Sequence, residues 1–236
     1  MPERHPMRQF LPTFLVALAA TACASATSNT PNSPGTLAAP VTPTVSREID
    51  PVYVAKARAD SIRHPYTQAD VDFMTHMIGH HAQAIAMSRW APTHGASPAV
   101  QRLASRIINA QVDEIATMQN WLRDRLKPVP DATPMGLKMN MNGMEHMMLM
   151  PGMLTEEQMK QLDAARGAEF DRLFLTDMIQ HHSGAVSMVH DLFASYGAGQ
   201  DEIVFKFASD VNVDQTTEIA RMEKMLAGLT LGITVE

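Results

Sequence analysis

The chain has 236 residues, with 19 basic and 25 acidic side chains, a formal charge of −6 with histidine neutral, and one cysteine. An acidic balance argues against nucleic acid as a partner. A lone cysteine supplies neither a disulfide framework nor a thiolate metal site.

The N-terminus reads as a secretory signal, because Arg4 and Arg8 precede an apolar run over residues 10–20 that is too short for a membrane span. The run ends in Ala20, Thr21, Ala22 and Cys23, which resembles a bacterial lipobox; residues 1–22 are then removed and Cys23 carries lipid. The competing expectation is plain cleavage at Ala22 or Ala24, and the position of the only cysteine favours lipidation. Removal of Arg4, Arg8 and Glu3 leaves 17 basic and 24 acidic residues and a charge of −7. Residues 23–46 are Ser, Thr, Pro and Ala with almost no large apolar side chains, a composition that predicts a disordered tether. Residues 47–236 remain for one well-cored domain in the periplasm or cell envelope, lipid-anchored or secreted.

That domain is expected to be helical, since no sustained alternation of β-branched residues occurs between turn dipeptides. Asp50 and Pro51 suit the start of a short helix to about Arg63. Thr67 and Asp70 form a capping box for a longer helix that Pro92 and Gly95 stop. Ser97 and Pro98 open a helix to about Leu126, ended by Pro128 and Pro130. Thr155 with Gln158 starts a short element, Gly167 separates it from a long helix closed by residues 196–199, and a last helix spans 201–227 and ends at Gly228.

An internal repeat organises these elements. Residues 73–87, FMTHMIGHHAQAIAM, return as residues 174–188, FLTDMIQHHSGAVSM, with eight of fifteen positions identical. Downstream, Gln111, Glu114, Ile115, Met118 and Leu122 match Gln215, Glu218, Ile219, Met222 and Leu226. Each copy is therefore a helical hairpin, one over 66–127 and one over 155–228, joined by a linker over 128–154. Two hairpins with apolar stripes bury them by packing face to face into an all-α four-helix bundle with an approximate twofold axis.

Helical spacing places the ligand types. Phe73, Met77, His80, Ala84 and Met87 form an a/d seam that Phe174, Met178, His181, Ala185 and Met188 repeat, so His80 and His181 face the interior. His81 and His182 lie about 100° further round, so neither adjacent pair forms one simple chelate. Pairs four apart converge instead: His76 with His80, Met77 with His81, Asp177 with His181, and Met178 with His182. The candidate metal ligands are thus His76, Met77, His80, His81, Met87, Asp177, Met178, His181, His182 and Met188. A seam of Met and Ala is ordinarily only core. Buried imidazoles, however, need partners. Glu114 and Glu218 supply them either as acceptors in a core network across the bundle or as groups that orient metal-bound histidines.

A second signal is independent. Eight of the nineteen residues 135–153 are methionine, among them Met139, Met141, Met144, Met147 and Met148, with His146 between them. Gly136, Gly143, Pro151 and Gly152 exclude a regular helix across the stretch. The bland alternatives are a sticky cap over the bundle end or a reversible sink for oxidants. The functional reading is capture of Cu(I), which suits soft, neutral thioethers. Zinc would fit four imidazoles and leave the methionines unexplained.

The paired patterns MIGHHAQAIAM and MIQHHSGAVSM, with GAEFDRLFL over 167–175 and the EIxxM segments, resemble a ferritin-like family labelled a domain of unknown function. CopM-type periplasmic copper-binding proteins are among its members. The resemblance covers about residues 66–228 and implies a four-helix bundle outside the cytoplasm, with copper, as Cu(I) or Cu(II), as a cargo for some members. Carried over by position, its motif residues are Met77, His80, His81 and Met87, then Met178, His181, His182 and Met188. One departure is internal: His76 is matched by Asp177. Three functions follow as alternatives, copper sequestration or handling, a ferritin-like metal-dependent oxidase, and a structural envelope module. The oxidase signature of paired Glu-x-x-His motifs is not met, and no complete catalytic motif is found. Expected partners are metal ions and, through Cys23, the membrane; a homo-oligomer stays open.

Overall fold

The computed structural model describes residues 50–63, 65–134, 136–141 and 144–232. The expected signal peptide, tether and lipidated Cys23 lie outside the described residues, as do the side chains of Met139, Met141, Met144, His146 and Met147. Helix α1 (Pro51–Arg63) is followed by α2 (Gln68–Trp90), α3 (Pro98–Asp124), strands β1 (Leu137–Met141) and β2 (Met144–Met148), and then α4 (Glu156–Ala164), α5 (Gly167–Ala194) and α6 (Glu202–Leu231). The chain is thus an all-α bundle of α2, α3, α5 and α6, with one small hairpin in the linker.

The caps expected from sequence are present. Thr67 and Asp70 close a reciprocal capping box on α2, Ser97 caps α3 ahead of Pro98, and Thr155 with Gln158 does the same for α4. The C-terminal helix departs from expectation. Gly228 is buried within α6, and the left-handed cap is Gly232 at φ 67°, so the helix runs a further turn. Packing of Gly228 against the core explains this, since a glycine ends a helix only where the chain needs a positive φ.

Strands β1 and β2 are the second departure. They pair antiparallel from Leu137 opposite Met148 to Met141 opposite Met144, where a strandless loop was expected. Asn142 and Gly143 stand between them in the sequence, the dipeptide most favoured in two-residue hairpin turns.

Helices α2 and α3 pack as one hairpin, α5 and α6 as the other, and α2 against α5 joins them. Two reciprocal hydrogen bonds tie the copies. Asp70, at the start of α2, accepts from Gly199 N at 2.7 Å, and Asp171, at the same position of α5, accepts from Ser97 N at 3.1 and 3.2 Å. A buried cluster adds to this at one end, where Asp201 caps α6, accepts from Trp121 Nε1 and pairs with Arg125.

The core divides in two. One apolar cluster gathers Phe73, Met77, Met118, Ala185, Met188 and Phe207; the other gathers Ala84, Met87, Phe174, Met178 and Met222. Between the clusters lies the histidine layer.

The linker returns over this layer. Gln83, 1 % exposed, accepts from Leu154 N at 2.7 Å and donates to Leu154 O and Pro134 O. Residues 150–154 are so drawn across the α2/α5 seam, and Gly152 takes a φ of 76° there. Contact with α5 is close enough that a Cβ on Gly184 would stand 2.0 Å from Pro151 O and 2.6 Å from the Gly152 Cα. Gly184→Ala is therefore expected to push the strap off the seam and cost about 1–3 kcal/mol, as overpacking does. Urea denaturation checks this, and a variant as stable as wild type would show that the strap is not a fixed part of the fold.

Candidate metal centre

The seam periodicity puts His80 and His181 inside, and the next residue on each helix is carried round toward the partner helix of its own hairpin. His80, His81, His181 and His182 are all 0 % exposed. The His80 and His181 rings meet across the α2/α5 contact with centroids 3.8 Å apart and planes at 42°. His81 and His182 flank that pair, with centroids 6.5 Å from His80 and 6.1 Å from His181 respectively. The four imidazoles thus form a short row across the bundle.

The outer two are held by the two glutamates. His182 Nε2 hydrogen-bonds Glu218 Oε2 at 2.7 Å, between α5 and α6. His81 Nε2 stands equally near Glu114 Oε2, between α2 and α3, but off the line of a hydrogen bond, so it counts as a polar contact only. Each glutamate therefore serves the histidine of its own hairpin. His80 Nε2 has a different partner, the Pro151 carbonyl of the strap at 2.9 Å. Backbone carbonyls and carboxylates only accept, so Nε2 carries the proton in His80 and His182 and Nδ1 keeps its lone pair.

The consequence is a set of bare nitrogens. Nδ1 of His80, His81, His181 and His182 is buried without a hydrogen-bond partner in every case, and His81 and His181 lack one at Nε2 as well. Such atoms are costly in an apolar core. Burial, reinforced by the neighbouring His81, pushes the His80 imidazole down to about 3. Burial and then the His80 ring hold His181 well below the usual histidine range. Both rings are consequently neutral at pH 7, the form that ligates metals.

The remaining candidate ligands are spread about this row. Met77, Met87 and Met178 are 0 % exposed and Met188 is 8 % exposed, with Met77 and Met188 in one apolar cluster and Met87 and Met178 in the other. His76 is half-buried and lines an open cavity, its imidazole pulled down by burial against the opposing charge of Asp72. Its counterpart Asp177 is 8 % exposed, and burial pushes its carboxyl up to about 6 against the pull of Arg172. Of the Met-rich linker, Met148 is exposed at the hairpin end, while Met150 and Met153, within the strap, are buried. Among the described residues, no three His, Cys, Asp or Glu side chains converge as a ready-made metal cage.

Sequence reasoning missed the strap and the depth of two glutamines. Gln111 and Gln215 are 2 % and 3 % exposed, with Oε1 of both and Nε2 of Gln215 unpartnered. They line a groove between α3 and α6 together with Glu114 and Glu218. The strap had a signal in Gly184, since an isolated glycine inside a helix marks a close backbone approach.

Solved structures give the same fold. A protein described as secreted, from Streptomyces coelicolor, is 28 % identical with a TM-score of 0.57, covering 71 % of this chain and 96 % of that one. A fragment from Deinococcus radiodurans is 27 % identical with a TM-score of 0.57, covering 69 % and 98 %. CopM in its Cu(II)-bound form is 28 % identical with a TM-score of 0.53, covering 67 % and 96 %, and its Cu(I)-bound form reaches 0.51 at 27 % identity. A curated relative, the uncharacterized protein L153 of Acanthamoeba polyphaga mimivirus, is 39 % identical over 62 residues, a quarter of this chain and 41 % of that relative. A family model described as a domain of unknown function, DUF305, matches residues 70–226, and the chain belongs to that family.

Proposed function

We propose that this protein binds copper outside the cytoplasm, holding Cu(I) in the histidine layer and sequestering or passing it on. The observation that carries the reading is the set of four buried, unpartnered Nδ1 atoms on His80, His81, His181 and His182. A purely structural network would leave such atoms paired. Here the Pro151 carbonyl on His80 and the Glu218 carboxylate on His182 engage Nε2 and leave Nδ1 bare, the arrangement by which a second group orients a metal-bound imidazole. Cu(I) accepts few ligands, tolerates neutral nitrogen and thioether donors, and needs no ready-made cage of carboxylates. Met77, Met87, Met178 and Met188 stand in the apolar clusters on both sides as further soft donors. The likeness to a protein solved with Cu(I), Cu(II) and Ag bound supports the same class of cargo.

Titration of the purified protein with Cu(I) against a competing chelator is expected to give stoichiometric binding that is lost when the four histidines become alanine. Equal binding by that variant would sink the reading. At a free Cu(I) concentration of 100 times Kd, the bound ion should add about 2.7 kcal/mol to stability.

Without metal, the layer should make the fold acid-sensitive. A histidine whose folded pKa is depressed contributes stability that is full above its unfolded value and falls as pH drops toward the folded value. As pH falls from 6.5 to 5, His80 and His181 should therefore destabilise the fold, while Asp177, raised when folded to about 6, partly offsets the loss below pH 6. Denaturant midpoints measured across pH 7 to 5 check the sign; a flat profile would mean that these rings are not buried neutral.

Export and anchoring rest on residues 1–23. We expect radiolabelled palmitate to enter the wild-type chain in its native envelope and not the Cys23→Ser variant; no label in either would leave a freely secreted protein.

A further inference from the structure

We infer that the protein has a second soft-metal site at the surface, made by His76, Met150 and Met188, where a monovalent cation of the Cu(I) or Ag(I) class is caught before it reaches the buried histidines. The inference rests on the copper reading above and adds to it a site of entry.

A cavity of about 270 Å³ opens between α2, α5 and the strap, lined by His76 and Phe73 of α2, Met188 and Asp191 of α5, and Met150 and Pro151 of the linker. Two thioethers and an imidazole around one small space are a donor set for a soft cation and a poor one for Mg or Ca. Met150 and Met188 are only 6 % and 8 % exposed, and the little surface they keep lines this cavity. Asp72 and Asp191 on its wall give it a negative potential that draws cations.

Position gives the cavity its meaning. Pro151 is both its wall and, through its carbonyl, the acceptor for His80 Nε2 at 2.9 Å. One peptide of the strap thus separates the cavity from the histidine row.

The duplication supplies an internal control. At the equivalent places in the other copy, His76 becomes Asp177, Ala69 becomes Phe170 and Asp191 becomes Trp90. Phe170 and Met87, the counterpart of Met188, are 0 % exposed. That copy is filled: Phe170 and Trp90 pack there against His94, the counterpart of Ser195. The exchanges of Ala69 for Phe170 and of Asp191 for Trp90 separate an open mouth from a packed one.

The full chain, with its methionine methyl groups labelled with carbon-13, should be titrated with Ag(I), which needs no reductant. The Met150 and Met188 methyl resonances are expected to shift in wild type and equally in His80→Gln/His181→Gln, which disables the buried layer. Met150→Leu, close in shape, is expected to bind one silver ion fewer than wild type while the histidine layer still loads. Unmoved Met150 and Met188 methyls in wild type, or a silver count unchanged in the leucine variant, would overturn the inference. Loss of copper from the alanine-substituted histidine layer with the methyl shifts intact would leave this site standing; the reverse result would remove it alone. Should the glutamine variant fail to fold, the wild-type spectrum and the leucine variant still decide.

Discussion

Four imidazoles buried where two helices cross set the terms for the rest of this structure. Taking a polar ring out of water is unfavourable unless its nitrogens are met, and here the bundle hydrogen-bonds one nitrogen in only two of the rings, His80 and His182. Everything around the row is arranged to that end. Glu114 and Glu218 reach in from α3 and α6 to Nε2 of the outer rings, and the linker lends the Pro151 carbonyl to His80. Apolar clusters above and below exclude water. The resulting low dielectric keeps the inner rings neutral and their lone pairs available.

Duplication explains why the layer lies at the centre. Asp70 and Asp171 bind the loop of the opposite hairpin, so each copy fastens the other at both ends of the α2/α5 contact. Symmetry then brings the two seam histidines together. The linker occurs once, however, and breaks the symmetry: it seals the layer at Gly184 and contributes Met150 to one side alone. A symmetric bundle would offer two equal approaches to its core. This one offers a lined mouth on the His76 side and packed Phe170 on the other.

Much of this was legible in the sequence because it depends on local rules. Caps at Thr67, Ser97 and Thr155 follow from side chains that bond nearby backbone, and the burial of His80 and His181 follows from seam spacing alone. The strands of the Met-rich linker were not legible from residue type, since methionine has little preference for strands and only Asn142–Gly143 hints at a turn. Gly228 misled because a glycine that packs in a helix and one that ends it look the same in sequence; φ decides, and φ is set by tertiary contact. The partner of His80 was beyond reach for another reason. It is a backbone carbonyl 71 positions away, and no side-chain pattern encodes where a carbonyl will lie.

The strap carries the last step of the argument. A metal held deep in an apolar core is protected from water and competing ligands, but the same burial slows its entry and release. The element that closes the layer here is neither helix nor core. It is a short linker segment fixed by Gln83, by one His80 hydrogen bond and by a glycine-to-glycine contact with α5. The His80 bond belongs to the ring that would bind metal, so the force that shuts the strap and the group that holds the cargo are shared. Separating Pro151 from His80 would open the layer and free Nε2 of that ring in one movement, and thereby couple access to the site with the state of its ligand.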